Sequence, residues 1–451
     1  MKIRARNSVG WACAAGHVRF FCRVLRGLAA LCVLAPLAAC GEESPTDVGG
    51  SLLPGQAIRT IEVMLDPALF LARDTSFSGY SDPALANFFV LAKSFQGVLD
   101  AHALARFDIP TVIAVTDSAG TLRSDSAPRF FAGRIVLQLD TPRSAAARPF
   151  TARAVRVEEP WDPASTNWTH RIDTTGVREP WRFPGATGGR AIGSGTVEAG
   201  TDSLVIPVDS ATIAAWADSA STARGALIML ESMNARVRAS DFVLRADARS
   251  SIRRDTVVTV TVRPPNSRFI FNPRPPAASA APLVGGNPAW RTYMEFREGL
   301  DTLTVACPTI SASCRVRLRD ASITFGSLQL VPAVAPPGFA LEDTMQVTVR
   351  ALISTPEVPL ARSLLGNVMG VARRFVRPAD FAAPAGGNPV ELPVTDFVHA
   401  LTRDTLRTGP RPGRWLAVMP LVESIDFGTA AFQPAPRLRL VLTIGSELQL
   451  R

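Results

Sequence analysis

Short runs in which polar and apolar residues alternate recur along this 451-residue chain, and they leave few folds open to it. Arg315-Val316-Arg317-Leu318-Arg319, Thr259-Val260-Thr261-Val262-Arg263 and Arg437-Leu438-Arg439-Leu440 have period two, as do Val155-Arg156-Val157-Glu158 and Val347-Thr348-Val349-Arg350. That period sets one face of a strand on a core and the other in water, the habit of antiparallel sheets. The runs are short and separated by Gly, Pro, Asp and Ser, which predicts an all-β sandwich or jelly roll rather than a parallel α/β sheet. With 32 glycines, 36 prolines and 47% hydrophobic residues, the composition excludes a coiled coil, a collagen-like repeat, a polytopic membrane protein and a wholly disordered chain.

The alternating segments also come in two copies. Ala105-Arg106-Phe107-Asp108 answers Tyr293-Met294-Glu295-Phe296, and Leu137-Gln138-Leu139 answers Leu328-Gln329-Leu330. Ile206-Pro207-Val208-Asp209 answers Leu392-Pro393-Val394-Thr395, Leu227–Leu230 answers Leu416–Met419, and Phe242–Arg245 answers Arg437–Leu440. The offsets stay near 190 in unbroken order, the mark of a duplicated unit. This predicts two tandem antiparallel β-sandwich domains, residues 58–262 and 291–451, joined by a Pro/Ala/Gly-rich linker over 263–290. Each copy carries one short helical signal, capped by Asp209 and Ser210 ahead of Ile213 and Trp216, and by Thr395 and Asp396 ahead of Val398 and Leu401. Copy two has a further helical spacing from Leu360 to Phe375.

Residues 1–26 carry Lys2, Arg4, Arg6, Arg19, Arg23 and Arg26 without an acid, and Gly27–Leu37 is an apolar run too short to span a bilayer. The stretch ends Leu37-Ala38-Ala39-Cys40-Gly41, which resembles the lipobox of bacterial lipoproteins. The resemblance implies a signal peptide over 1–39, lipidation at Cys40 and, because Gly41 rather than an aspartate follows, an outer-membrane destination on a side the sequence leaves open. Residues 40–57 read as a flexible tether. Six of the positive charges behind the formal +9 lie in the signal, which removes the main support for a nucleic-acid partner.

Phe107-Asp108-Ile109-Pro110, then Glu159-Pro160-Trp161-Asp162 and Thr166-Asn167-Trp168, then Trp181, Pro184-Gly185, Ile206–Asp209 and Trp216 together resemble the DNRLRE-type domain over about residues 100–262. That resemblance implies a non-catalytic, carbohydrate-binding jelly roll of secreted and surface proteins, with acidic glycans among its ligands. Copy two matches the strand order but lacks the paired tryptophans, so a ligand site there is left open. Thr46-Asp47-Val48-Gly49, Leu52-Leu53-Pro54 and Gly79-Tyr80-Ser81-Asp82-Pro83 resemble an uncharacterised Bacteroidetes-type lipoprotein family, which implies location and no chemistry.

Trp161, Trp168 and Trp181 are the candidate ligand platform, since sugar rings take aromatic faces; Asp162, Asn167, Arg171 and Arg178 are the candidate polar partners. The other reading makes Trp161 and Trp168 core plugs around a strand turn. Cys307 and Cys314 are the only cysteines beyond Cys40, and an exported chain favours their disulfide across a hairpin loop over two free thiols. No His, Cys, Asp or Glu cluster has metal spacing, no nucleophile elbow or phosphate loop appears, and neither cofactor nor enzymatic activity is expected. The expected function is that of a membrane-anchored, non-catalytic surface lipoprotein binding polysaccharide through domain 1. The alternative is a structural or assembly lipoprotein with an outer-membrane protein partner and no sugar ligand.

Overall fold

The alternating segments form strands, and the fold is all-β. The computed structural model describes residues 59–218, 225–287, 289–298, 300, 302–306, 313–353, 358–369, 374–382, 388–402 and 413–444. The signal, Cys40 and the tether therefore lie outside the described residues. In chain order the main strands are β1 (Arg59–Leu65), β2 (Leu71–Phe77), β3 (Phe89–Phe95), β4 (Leu99–Arg106), β5 (Arg129–Leu139), β6 (Phe150–Val157), β7 (Ala191–Val197), β8 (Ser203–Val208), β9 (Gly225–Leu230), β10 (Ala235–Arg249) and β11 (Asn266–Asn272). They continue with β12 (Arg291–Phe296), β13 (Ser322–Leu330), β14 (Met345–Leu352), β15 (Leu365–Val368), β16 (Val390–Pro393), β17 (Trp415–Pro420) and β18 (Arg437–Ile444). Two short helices, α1 (Ser210–Ala217) and α2 (Thr395–Thr402), follow β8 and β16.

The first sandwich is one continuous sheet in the order β7-β6-β9-β4-β3-β10-β5-β8, with β11 also on β4, whereas the second has two separate sheets, β1-β18-β13-β16 and β2-β12-β17-β14-β15. β3-β10-β5-β8 corresponds strand for strand to β1-β18-β13-β16, and β11-β4-β9-β6-β7 to β2-β12-β17-β14-β15; the first copy differs in its β3–β4 pairing and in Val257–Val262 added to β10, and all five matched sequence pairs fall on equivalent strands. Each helix closes the same end of its sandwich over a glycine. A Cβ on Gly133 of β5 would lie 2.5 Å from Ile213, and Gly326 of β13 backs against Thr395, whose hydroxyl accepts from the Gly326 N–H at 2.9 Å. Asp209 caps α1 by accepting from Thr212 N at 2.9 Å, as the sequence predicts. Alternate residues such as Ile135, Leu137, Phe242 and Leu244 fill one core, and Leu328, Leu330, Leu438 and Leu440 fill the other. On its open side the first sandwich is drawn nearly shut. The Cβ of any other residue at Gly193 of β7 would stand 1.8 Å from the Pro207 carbonyl oxygen of β8.

The domain boundaries differ from those the composition predicts. β1 pairs with β18 and β2 with β12, so the first two strands belong to the second sandwich. The first sandwich, β3 to β11, is thus inserted between β2 and β12. Residues 263–290 are not a linker: β11 pairs along the whole length of β4, and Leu283–Gly285 pairs with Thr429–Phe432. The prolines that mark this segment flank β11 and do not interrupt it, so its backbone N–H groups stay free to pair. The spacing from Leu360 to Phe375 does not make a helix. It gives a single 3-10 turn, Leu360–Arg362, and then β15 and Arg374–Val376, both paired to β14. The hairpin of Thr302–Ala306 with Ser313–Arg317 is present and sets Cys314 opposite Val305, while Cys307, and with it the expected disulfide, lies outside the described residues.

The two sandwiches meet through Phe88, Phe95, Phe269 and Phe271 of the first against Phe339 and Phe427 of the second. Beside these rings Arg236 and Arg238 of β10 enclose Glu342, with Arg236 Nε 3.2 Å and Arg238 Nη1 3.1 Å from its carboxylate. Among the described residues no helix is long and apolar enough to cross a membrane.

Candidate functional site

The excursion from β6 to β7, residues 158–190, folds over the outer face of the β11-β4-β9-β6 sheet. Val155, Val157, Leu104, Leu227, Met229 and Ile270 point outward there, too many apolar side chains to leave in water. Trp181 and Ala186 bury against them, with Trp161 and Trp168 half-buried alongside. Trp181 is 4% exposed and its Nε1 donates to the Asn167 carbonyl at 2.9 Å, so it is a plug and not an exposed sugar platform.

The loop consumes most of the candidate polar groups itself. Asn167 Oδ1 accepts from the backbone of Thr169 and His170, and its Nδ2 donates to Asp173 at 2.9 Å. Asp162 accepts from the Ser165 hydroxyl and the Ala164 N–H. Arg171 donates to the Pro160 carbonyl at 2.7 Å and pairs with Glu179. Arg178, 75% exposed, pairs with Asp173 at 2.9 Å. Trp168 is different. It packs on Gly185, whose φ of +73° belongs to the left-handed region and where a Cβ would come within 2.9 Å of the indole. The His102 ring, hydrogen-bonded to the Gly185 carbonyl, lies with its centroid 4.7 Å from that of the indole.

Trp168 borders two cavities. The first, about 770 Å³, lies between the loop, the β2–β3 connection (78–85) and β11 with the segment that follows it. Four charged side chains line it. Arg268 is only 7% exposed; it donates to the Pro163 carbonyl at 2.6 Å and pairs with Asp82 at 3.0 Å, while its Nε–H has no acceptor among the described residues. Arg274, largely exposed at the rim, stands 3.7 Å from Asp173. The second cavity, about 490 Å³, is lined by His102, Trp168 and two ion pairs, Lys93–Asp100 and Arg153–Glu231, each at 3.7 Å.

No protein-family model matches this chain, and no curated protein does. The site is therefore read from its own geometry. Of the seven candidates, Trp168 and Asn167 line the first cavity, whereas Trp161, Trp181, Asp162, Arg171 and Arg178 do not. Sequence reasoning missed Arg268 and Arg274 because they stand in the segment taken for a linker. Asp82 was in view in Gly79-Tyr80-Ser81-Asp82-Pro83, but nothing local says that it faces β11.

Burial lowers the His102 imidazole to about 4, against the opposing pull of a hydrogen bond to the Gly185 carbonyl and of Asp100. Because that carbonyl, 2.9 Å from Nδ1, can only accept, His102 is neutral with its proton on Nδ1. The unfolded chain takes up a proton below about pH 6.5 and the folded chain only near pH 4. Stability is therefore full above pH 6.5 and falls between there and pH 4, by up to about 3 kcal/mol. Asp125 acts lower: its burial is outweighed by hydrogen bonds from Ser251, Ala127 and Ser250, which hold it at about 2. Its contribution is present above the ordinary carboxylate value and is lost as the pH falls toward 2. Urea midpoints at pH 7.5, 5.5 and 4.5 should fall stepwise for the native chain and less steeply for His102→Asn; equal slopes would remove His102 from the account.

Proposed function

We propose that this chain is a lipid-anchored, non-catalytic binding protein of the outer membrane that holds polysaccharide in the cleft between the tryptophan loop and β11. The observation that carries the reading is the cavity of about 770 Å³ in which a half-buried indole, Trp168, stands with two arginine–aspartate pairs. Its volume lies within the roughly 300–1,000 Å³ usual for small-ligand sites, and an aromatic wall beside polar groups suits a sugar ring with its hydroxyls. Each carboxylate at the cavity, Asp82 and Asp173, is held by an arginine, an arrangement that favours holding a ligand over acid–base work on it. The lipobox at Cys40 supplies the anchor, and several acyl chains together hold stably.

Calorimetric titration of polysaccharide into the chain and its Trp168→Ala variant tests this. The variant is expected to bind at least tenfold more weakly, about 1.4 kcal/mol, with an unchanged circular-dichroism spectrum. Arg274→Ala, at the exposed rim, provides a second variant that leaves the fold intact. Unaltered affinity in both would overturn the proposal.

A further inference from the structure

The two cavities share one side chain in their walls. Trp168 lines both, and His102 and Gly185 pack against it. A linear chain lying across its edge would enter both cavities at once, whereas a single sugar would fill only one.

Their charges are also matched. The first cavity sets Arg268 and Arg274 against Asp82 and Asp173, and the second sets Lys93 and Arg153 against Asp100 and Glu231. Every cation sits within 4 Å of a carboxylate. A carboxylated or sulfated ligand would lie beside one of these carboxylates, like charge against like. A hydroxyl does not face this cost, because it donates to a carboxylate and accepts from a guanidinium while the pair stays closed.

Resting on the reading of the cleft as a polysaccharide site, we infer that its ligand is an uncharged linear glycan spanning both cavities across Trp168. The result runs against the acidic ligand that the sequence resemblance implies.

The test uses the lipidated chain in detergent, titrated with neutral gluco- and xylo-hexasaccharides, the corresponding disaccharides, and a hexameric uronate. A neutral hexasaccharide is expected to bind at least tenfold more tightly than its disaccharide and than the uronate. Its affinity should change less than twofold between 0.05 and 0.5 M salt. Glu231→Gln, at the surface of the second cavity, should weaken hexasaccharide binding at least fivefold, so that the hexasaccharide and disaccharide affinities converge. Preference for the uronate with strong salt dependence, or equal affinity for disaccharide and hexasaccharide, overturns this inference and leaves the polysaccharide site standing. Failure of every glycan to bind the folded chain overturns both.

Discussion

Replacing Glu342 with alanine is expected to destabilise the protein by about 3–5 kcal/mol, the usual result when one partner of a buried ion pair is removed. Its carboxylate is 2% exposed, and the side chains of Arg236 and Arg238 on either side are 7% exposed. Both guanidiniums lie over rings, Arg236 at 4.7 Å from Phe95 and Arg238 at 3.8 Å from Phe88, so neither can swing to water without vacating the packed interface. Arg238 keeps the Ile425 carbonyl at 2.8 Å and Asp140 at 3.5 Å; among the described residues Arg236 keeps the carbonyls of Gly338 and Ala340, each at 3.4 Å. Because the arginines belong to the first sandwich and the carboxylate to the second, the loss falls on their docking. Urea unfolding of Glu342→Ala should therefore split into two transitions. A single transition displaced by less than 1 kcal/mol would mean that the phenylalanine contacts alone hold the sandwiches together.

Trp181→Ala should cost about as much by a different route. A buried tryptophan replaced by alanine loses about 3–5 kcal/mol of transfer and cavity energy. Here the Asn167 carbonyl also loses its indole donor. Trp181 packs the loop onto the sheet through Val155, Leu227 and Ile270, so the loop should detach before the sandwich opens. Trypsin would then reach Arg171, Arg178, Arg182 and Arg190, and ligand binding would go with the loop. Trp168→Ala is expected to abolish binding without that sensitivity. If Trp181→Ala resists trypsin as the native chain does, the loop is held by something other than its plug.

The contrast between these two tryptophans marks how far the sequence could be read. Alternation is a local property, so β6, β14 and β18 were legible, and the matched pairs Leu137–Leu328 and Ile206–Leu392 marked the duplication. Which strand pairs with which is not local. Arg59–Leu65 carries the same alternation whichever sandwich it joins, and the partner of Glu62, Arg439, lies 377 positions away. The insertion was invisible for that reason. Asn266–Asn272 reads as linker in the sequence because prolines crowd both of its ends, although its own residues form a strand. At the site, three tryptophans in one loop were plain to see. Their separation into plug and wall depended on the outward-facing apolar residues of β4, β6, β9 and β11, which no spacing within the loop encodes.

The most direct measurement is retention of the folded chain on a panel of immobilised polysaccharides, neutral and acidic, beside its Trp168→Ala variant. The expected result is retention on at least one neutral polysaccharide, lost in the variant. Retention on none of them by a cooperatively folded sample, or retention that Trp168→Ala leaves unchanged, would contradict the assignment of this cleft as a glycan site.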